Sequence, residues 1–107
     1  MHHEHIVILC TVGSEEEGVK IASSLVEEGL VACVNMVPKI RSIYVWKGEV
    51  CDDTEHLLVI KSKPSVFEKV EARIVELHSY DVPEVIALPI EQGHKPYLDW
   101  IDSLVGR

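Results

Sequence analysis

Basic residues are scarce in this chain. Ten Lys and Arg stand against 18 Asp and Glu, and the formal net charge is −8. Nucleic-acid phosphates are held by clustered cations, so nucleic-acid binding is excluded. Cysteine is sparse and irregular: Cys10, Cys33 and Cys51 are odd in number and follow no regular spacing. That is no disulfide framework, and it points to a reducing compartment. No stretch approaches the ~18 apolar residues of a membrane span. The opening MHHEH lacks the apolar core of a signal peptide. These absences predict a cytoplasmic protein with no membrane partner. Enzyme signatures are missing as well. There is no Walker loop, GxGxxG, CxxC, HExxH or GxSxG, so a non-enzymatic role is expected. Linkers, internal repeats and low-complexity tracts are also absent, and 107 residues suit one domain. Residues 1–107 are expected to form it, with residues 1–4 as an N-terminal extension.

What is present is a 47% hydrophobic composition arranged in periodic runs. HIVILCTV, residues 5–12, is short, β-branched and closed by Gly13, which predicts a buried strand. Ser14 stands three residues before Glu17, the spacing of a capping box in which the hydroxyl and the carboxylate each satisfy a free backbone N–H. Val19, Ile21, Ala22, Leu25 and Val26 then give a helix an apolar face, with Gly29 as its stop. Pro64 suits the first turn of a second helix carrying Val66, Val70, Ile74 and Leu77. Pro83 ends it near His78-Ser79. Val85 to Leu88 read as a strand ended by Pro89, and Pro96 starts a last helix with Tyr97, Trp100, Ile101 and Leu104.

Between the two halves lies a long hairpin. Residues 31–46 and 49–63 are its arms, Lys47-Gly48 is its turn, and Pro38 interrupts the first arm. Arms of this length reach roughly 50 Å if straight. A compact domain of this size has a radius of gyration of about 13 Å. The tip therefore bends or projects. Ile43 and Val45 alternate with Tyr44 and Trp46, so both faces of the tip are apolar. Tyr44 and Trp46 are expected to pack on another subunit. The order β-α-β-β-α-β plus a C-terminal helix predicts an α+β, ferredoxin-like antiparallel sheet with helices on one face.

Two known users of this order do not fit. RNA-binding domains stack bases on aromatics of the central strands within a basic surface, and HIVILCTV and LLVIKSK offer no aromatics. Acylphosphatases need an Arg-bearing loop after the first strand, where this chain has Thr11-Val12-Gly13-Ser14. Metal binding is the better fit, since His and Cys are favoured ligands of copper and zinc. Cys33, His56, His78, His94 and the N-terminal histidines are the candidates. Each has a plain structural reading beside the functional one. Cys33 in an apolar strand is also a small hydrophobe, and His78 at a helix C-terminus also complements the dipole. The acidic cluster around Cys51 reads as a solvated strand end. The amine of Met1, two amides and His3 offer the square plane that Cu(II) prefers, and a frayed terminus is the alternative.

Three motifs then stand together: Val31-Ala32-Cys33-Val34, Ser42-Ile43-Tyr44-Val45-Trp46, and His78-Ser79-Tyr80-Asp81-Val82-Pro83-Glu84, with Glu55 and Tyr97-to-Ile101 between and after them. In this order they resemble the CutA family of divalent-cation tolerance proteins over residues 6–105. Ser79 stands where members often have Pro, and Thr11-Val12-Gly13-Ser14 replaces a Thr-x-Pro turn. The resemblance implies a tight, PII-like homotrimer with strand pairing between subunits. It also implies a role in tolerance of copper and other divalent metal ions. It places Cys33, Glu55, Lys61, His78, Tyr80 and Glu84 near an intersubunit cleft. The expected metal ligands are Cys33, His78 and His3, with Cu(II) or another divalent cation as the ion. The alternative is a PII-like signalling module that binds a small anionic metabolite in the cleft.

Overall fold

The alternation of buried and half-buried residues along the first strand decides how the chain layers. In a computed structural model describing residues 4–106, β1 (Ile6–Val12) buries every second residue. Ile6, Ile8, Cys10 and Val12 point to one face, as the two-residue repeat of a strand requires. β3 (Glu49–Ser62) lies antiparallel beside it and turns Leu58, Ile60 and Ser62 the same way. α1 (Glu15–Glu27) and α2 (Phe67–Leu77) cover that face with Ile21, Leu25, Val70 and Ile74. Arg73 of α2 ties the two helices together by pairing at 2.9 Å with Glu28, the cap of α1, and it also pairs with Glu76 on its own helix.

β2 (Cys33–Trp46) and β4 (Ile86–Pro89) complete an antiparallel sheet of order β2-β3-β1-β4. The last strand sits one residue later than expected and includes Pro89. A proline fits there because β4 is an edge strand, where a missing N–H costs little. α3 (Lys95–Leu104) closes the chain. It lies across one end of the sheet, held by Asp102 to His5 (2.9 Å) and Lys63 (3.2 Å).

The opposite sheet face carries Val7, Leu9, Val59, Ile86 and Leu88 in cross-strand register. No helix covers Ile86 and Leu88, and both are about half exposed. The hairpin also behaves as its length requires. β1 pairs with β3 only as far as His56, so residues 40–46 and 49–55 form a two-stranded ribbon beyond the body. The molecule consequently measures 43 × 27 × 22 Å. The ribbon turns at Lys47 and Gly48, both with positive φ (51° and 79°), as a tight hairpin turn demands. The irregularity expected at Pro38 is a register shift between Val37 and Ile40, with Lys39 at φ 58°.

Candidate functional site

Three elements meet where β1 ends. Thr11 is the last residue but one of the strand, Gly13 turns the chain and Glu17 sits in the first turn of α1. The α2–β4 junction, residues 78–84, folds over them. His78 caps α2 in extended conformation. Its Nε2 lies 2.8 Å from the Thr11 carbonyl. A carbonyl only accepts, so Nε2 carries the proton. Nδ1 then accepts from the Tyr80 N–H at 3.1 Å, with Glu17 Oε1 at 3.2 Å. The imidazole is fully enclosed and both nitrogens have partners.

Glu17 departs from the expected capping box. Ser14 Oγ does accept the Glu17 N–H, at 3.2 Å. The carboxylate does not reach back to complete the box. It accepts instead from the Ser79 N–H (2.9 Å) and the Ser79 hydroxyl (2.8 Å). Burial opposes ionisation of Glu17. The Ser79 backbone and side-chain bonds outweigh it, with His78 and Lys20 helping, and hold the carboxyl below its usual range.

Tyr80 crosses to the sheet. Its hydroxyl donates to Glu55 Oε2 at 2.7 Å, and Glu55 is buried. Burial and then the Glu55 bond push the Tyr80 hydroxyl well above the ordinary tyrosine value. The ring lies against Gly13, where an added Cβ would come 3.1 Å from Oη. A groove of about 730 Å³ opens outside this contact. One wall is the ribbon, from Arg41 to Tyr44 with Trp46. The other is Ser79 to Val82 with Glu84, and Thr11 and Glu55 form the base.

The groove is acidic. Arg41 lines it but is already paired with Asp52 through two bonds of 2.9 and 2.7 Å. Tyr44 donates to Asp53 at 2.5 Å, and that bond first, then burial, pushes its hydroxyl up to about 12. The buried Cys10 thiol senses the carboxylates from below. Burial raises it to about 12, and Glu84, Glu17 and Glu55 all add to the rise. The groove offers carboxylate and phenol oxygens, which suit hard divalent cations.

The expected site residues divide into two groups. Glu55, Tyr80 and Glu84 come together with His78 behind them, and Tyr44 and Trp46 form the groove wall rather than an isolated tip. Cys33 and Lys61 lie elsewhere. They face each other across β2 and β3, six residues along β3 from Glu55, roughly 20 Å at strand spacing. Lys61 is therefore not part of this groove: its Nζ donates to Asn35. Cys33 Sγ lies 3.5 Å from the Tyr97 hydroxyl at the α3 end. His94 caps α3 through its backbone and is exposed. His56 accepts the Lys39 N–H. Among the described residues, no three His, Cys, Asp or Glu side chains cluster as a metal-holding group. His3 lies outside the described residues. Sequence reasoning missed Thr11, Glu17, Ser42, Ser79 and Asp81. Glu17 was hidden by its helix-start context. Ser42, Ser79 and Asp81 stood inside the family motifs and Thr11 inside the Thr11-to-Ser14 stretch, but small polar side chains there read as turn and strand positions rather than as a site.

The family profile described as CutA1 divalent ion tolerance protein matches residues 6–104. The chain belongs to the CutA family. It is 51% identical over 100 residues to the divalent-cation tolerance protein CutA of Thermus thermophilus, covering 94% of this chain and 97% of that protein. The solved structure of the Thermus protein superposes with a TM-score of 0.93 over 95% of this chain and 99% of that one. The chloroplastic CutA of Arabidopsis thaliana is 50% identical over 92% of this chain. The chain spans 54% of that plant protein's length. A structure from Archaeoglobus fulgidus, described as a periplasmic divalent cation tolerance protein CutA, is 40% identical with a TM-score of 0.91, covering 94% of this chain and 97% of that one. These CutA relatives share the whole α+β unit, with its four-stranded sheet and three helices. A tolerance role follows from the family, while the ion does not.

Proposed function

We propose that the chain is a non-enzymatic, homotrimeric divalent-cation binding protein acting in metal tolerance in the cytoplasm. The strand order β2-β3-β1-β4 within a β-α-β-β-α-β chain supports a ferredoxin-like, PII-like subunit. The uncovered sheet face, with Ile86 and Leu88, and the projecting ribbon supply apolar surface for neighbouring copies. The observation that carries the cation reading is the acidic groove, with Glu55 at its base and Asp81 and Glu84 in its wall, on a chain of net charge −8.

Among the described residues no three His, Cys, Asp or Glu side chains gather as a metal-holding group in one chain, so a complete site draws donors from a second subunit. The groove oxygens suit a hard divalent cation. Cu(II) favours a square plane of nitrogen and oxygen donors. Of its proposed ligands Cys33, His78 and His3, Cys33 stands roughly 20 Å along the sheet from the groove, so it and His78 belong to separate sites within one chain. His78 can act as a ligand only by releasing Thr11 or the Tyr80 N–H. The cation is cargo here, not a resident cofactor.

Calorimetric titration of the assembled protein with Mn(II) and with Cu(II) separates these ligand sets. Glu84→Gln should weaken Mn(II) most, and Cys33→Ala should weaken Cu(II) most. Parent protein that binds neither ion removes the cation reading. A second reading, a PII-like module binding a small metabolite, draws on the groove's volume of about 730 Å³, which falls within the range of small-molecule sites. The acidic lining and the engaged Arg41 disfavour an anionic metabolite.

A further inference from the structure

The ribbon wall of the groove is only as well placed as the bend that carries it. That bend is the register shift between Val37 and Ile40. At its centre Lys39 has φ 58°, the left-handed region that a side chain with a Cβ disfavours by roughly 1–2 kcal/mol. Pro38 beside it has no N–H for a ladder bond. The ladder therefore provides little to fix the chain here.

One side chain does fix it. His56 Nδ1 accepts the Lys39 N–H at 3.1 Å, and His56 is buried. His56 is the last β3 residue paired to β1, opposite Val12. It thus belongs to the three-stranded body, while Lys39 leads directly into the free ribbon. The preceding residue is Glu55, and strand alternation turns it to the other face. There it holds Tyr80 at 2.7 Å. Two successive residues of β3 grip the two walls of one groove.

We infer that His56 is a positioning residue for the groove: by latching the Lys39 backbone it sets the angle of the ribbon, and so the spacing between the ribbon wall and the Ser79–Glu84 wall. The consequence for cation affinity rests on the cation reading above. The latch itself does not, because it rests on the His56–Lys39 hydrogen bond and the register shift alone.

The test compares His56→Leu, which removes the acceptor at similar size, with His56→Asn, whose amide oxygen offers an acceptor near the position of Nδ1. Amide exchange at Lys39 reads the latch. Trp46 emission, in a Trp100→Phe background, reads the wall. Mn(II) titration reads the consequence. His56→Leu should speed Lys39 exchange about tenfold, the worth of one hydrogen bond. It should also shift Trp46 emission and weaken Mn(II) about tenfold, with core amides of β1 unchanged. His56→Asn should restore all three. Unchanged Lys39 exchange and Trp46 emission in His56→Leu would overturn the inference. So would loss in His56→Asn equal to that in His56→Leu. If His56→Leu does not fold, His56→Ala in a Lys39→Gly background, where the strain is gone, carries the same comparison. If the parent binds no Mn(II), the cation reading fails by itself, and the exchange and emission results still decide the latch.

Discussion

Replacing Tyr80 with Phe removes one oxygen and keeps the ring. That oxygen donates to Glu55 Oε2 at 2.7 Å, inside normal hydrogen-bond range, and Glu55 is only 7% exposed. A bond to a charged acceptor is worth about 1.5–3 kcal/mol, and stranding the buried partner costs in the same range. Tyr80 itself is 38% exposed, so water can reach part of the contact and the lower half of the range applies. Tyr80→Phe should therefore cost about 1–2 kcal/mol per chain. For a domain of this size that is roughly 5–10 °C in melting temperature. Denaturant unfolding at fixed protein concentration is the assay, since assembly makes stability concentration-dependent. Tyr97→Phe is the control. Its hydroxyl has only Cys33 Sγ at 3.5 Å, so the loss should stay under about 0.5 kcal/mol. The alkaline limb gives an independent check. The Tyr80 hydroxyl is raised in the folded protein, so its contribution is complete below the unfolded value of about 10 and fades as pH climbs beyond it. Tyr80→Phe should flatten that limb. A variant as stable as its parent, with the same alkaline limb, would refute the idea that Tyr80 clamps Glu55.

Other outcomes follow from neighbouring geometry. Glu17→Gln should lose stability at neutral pH and show a weaker acid limb. The carboxyl sits below its ordinary value of 4.5 in the folded protein, so its contribution exists above that value and disappears as pH falls further; pH-dependent melting reads this. Lys39→Gly should stabilise by about 1 kcal/mol, because glycine adopts φ 58° without the Cβ penalty and gives back part of that gain in chain entropy; thermal unfolding measures it. Gly48→Ala, at φ 79° with open space around the new Cβ, should cost about 1 kcal/mol from backbone strain alone. Light scattering should give three times the 12.0 kDa chain mass, and a well-folded monomer at low concentration removes the trimer.

The elements were legible because each depends on near neighbours. Ser14 before an acidic turn, Pro64 at a helix start, and 3.6-residue spacing from Val66 to Leu77 act within a few residues of themselves. Lys47-Gly48 fixed the hairpin turn in the same way, and Pro38 fixed the irregularity in its first arm. Motif order was legible too, and it carried the family.

The sequence alone therefore determined the order of elements, the excess of negative charge and the family resemblance, because propensity, composition and motif spacing are properties of the linear chain. The pairing of side chains was decided only by tertiary structure. Glu17 finds Ser79 from 62 residues away, and His78 finds Thr11 from 67. The resemblance grouped Cys33 and Lys61 with the groove residues, yet they fall at the far end of the sheet. His56, one histidine among six, became the partner of Lys39 because a β-bulge in the opposite strand turned that N–H toward it. Such partnerships depend on strand register and on which faces meet, and neither exists until the sheet has formed.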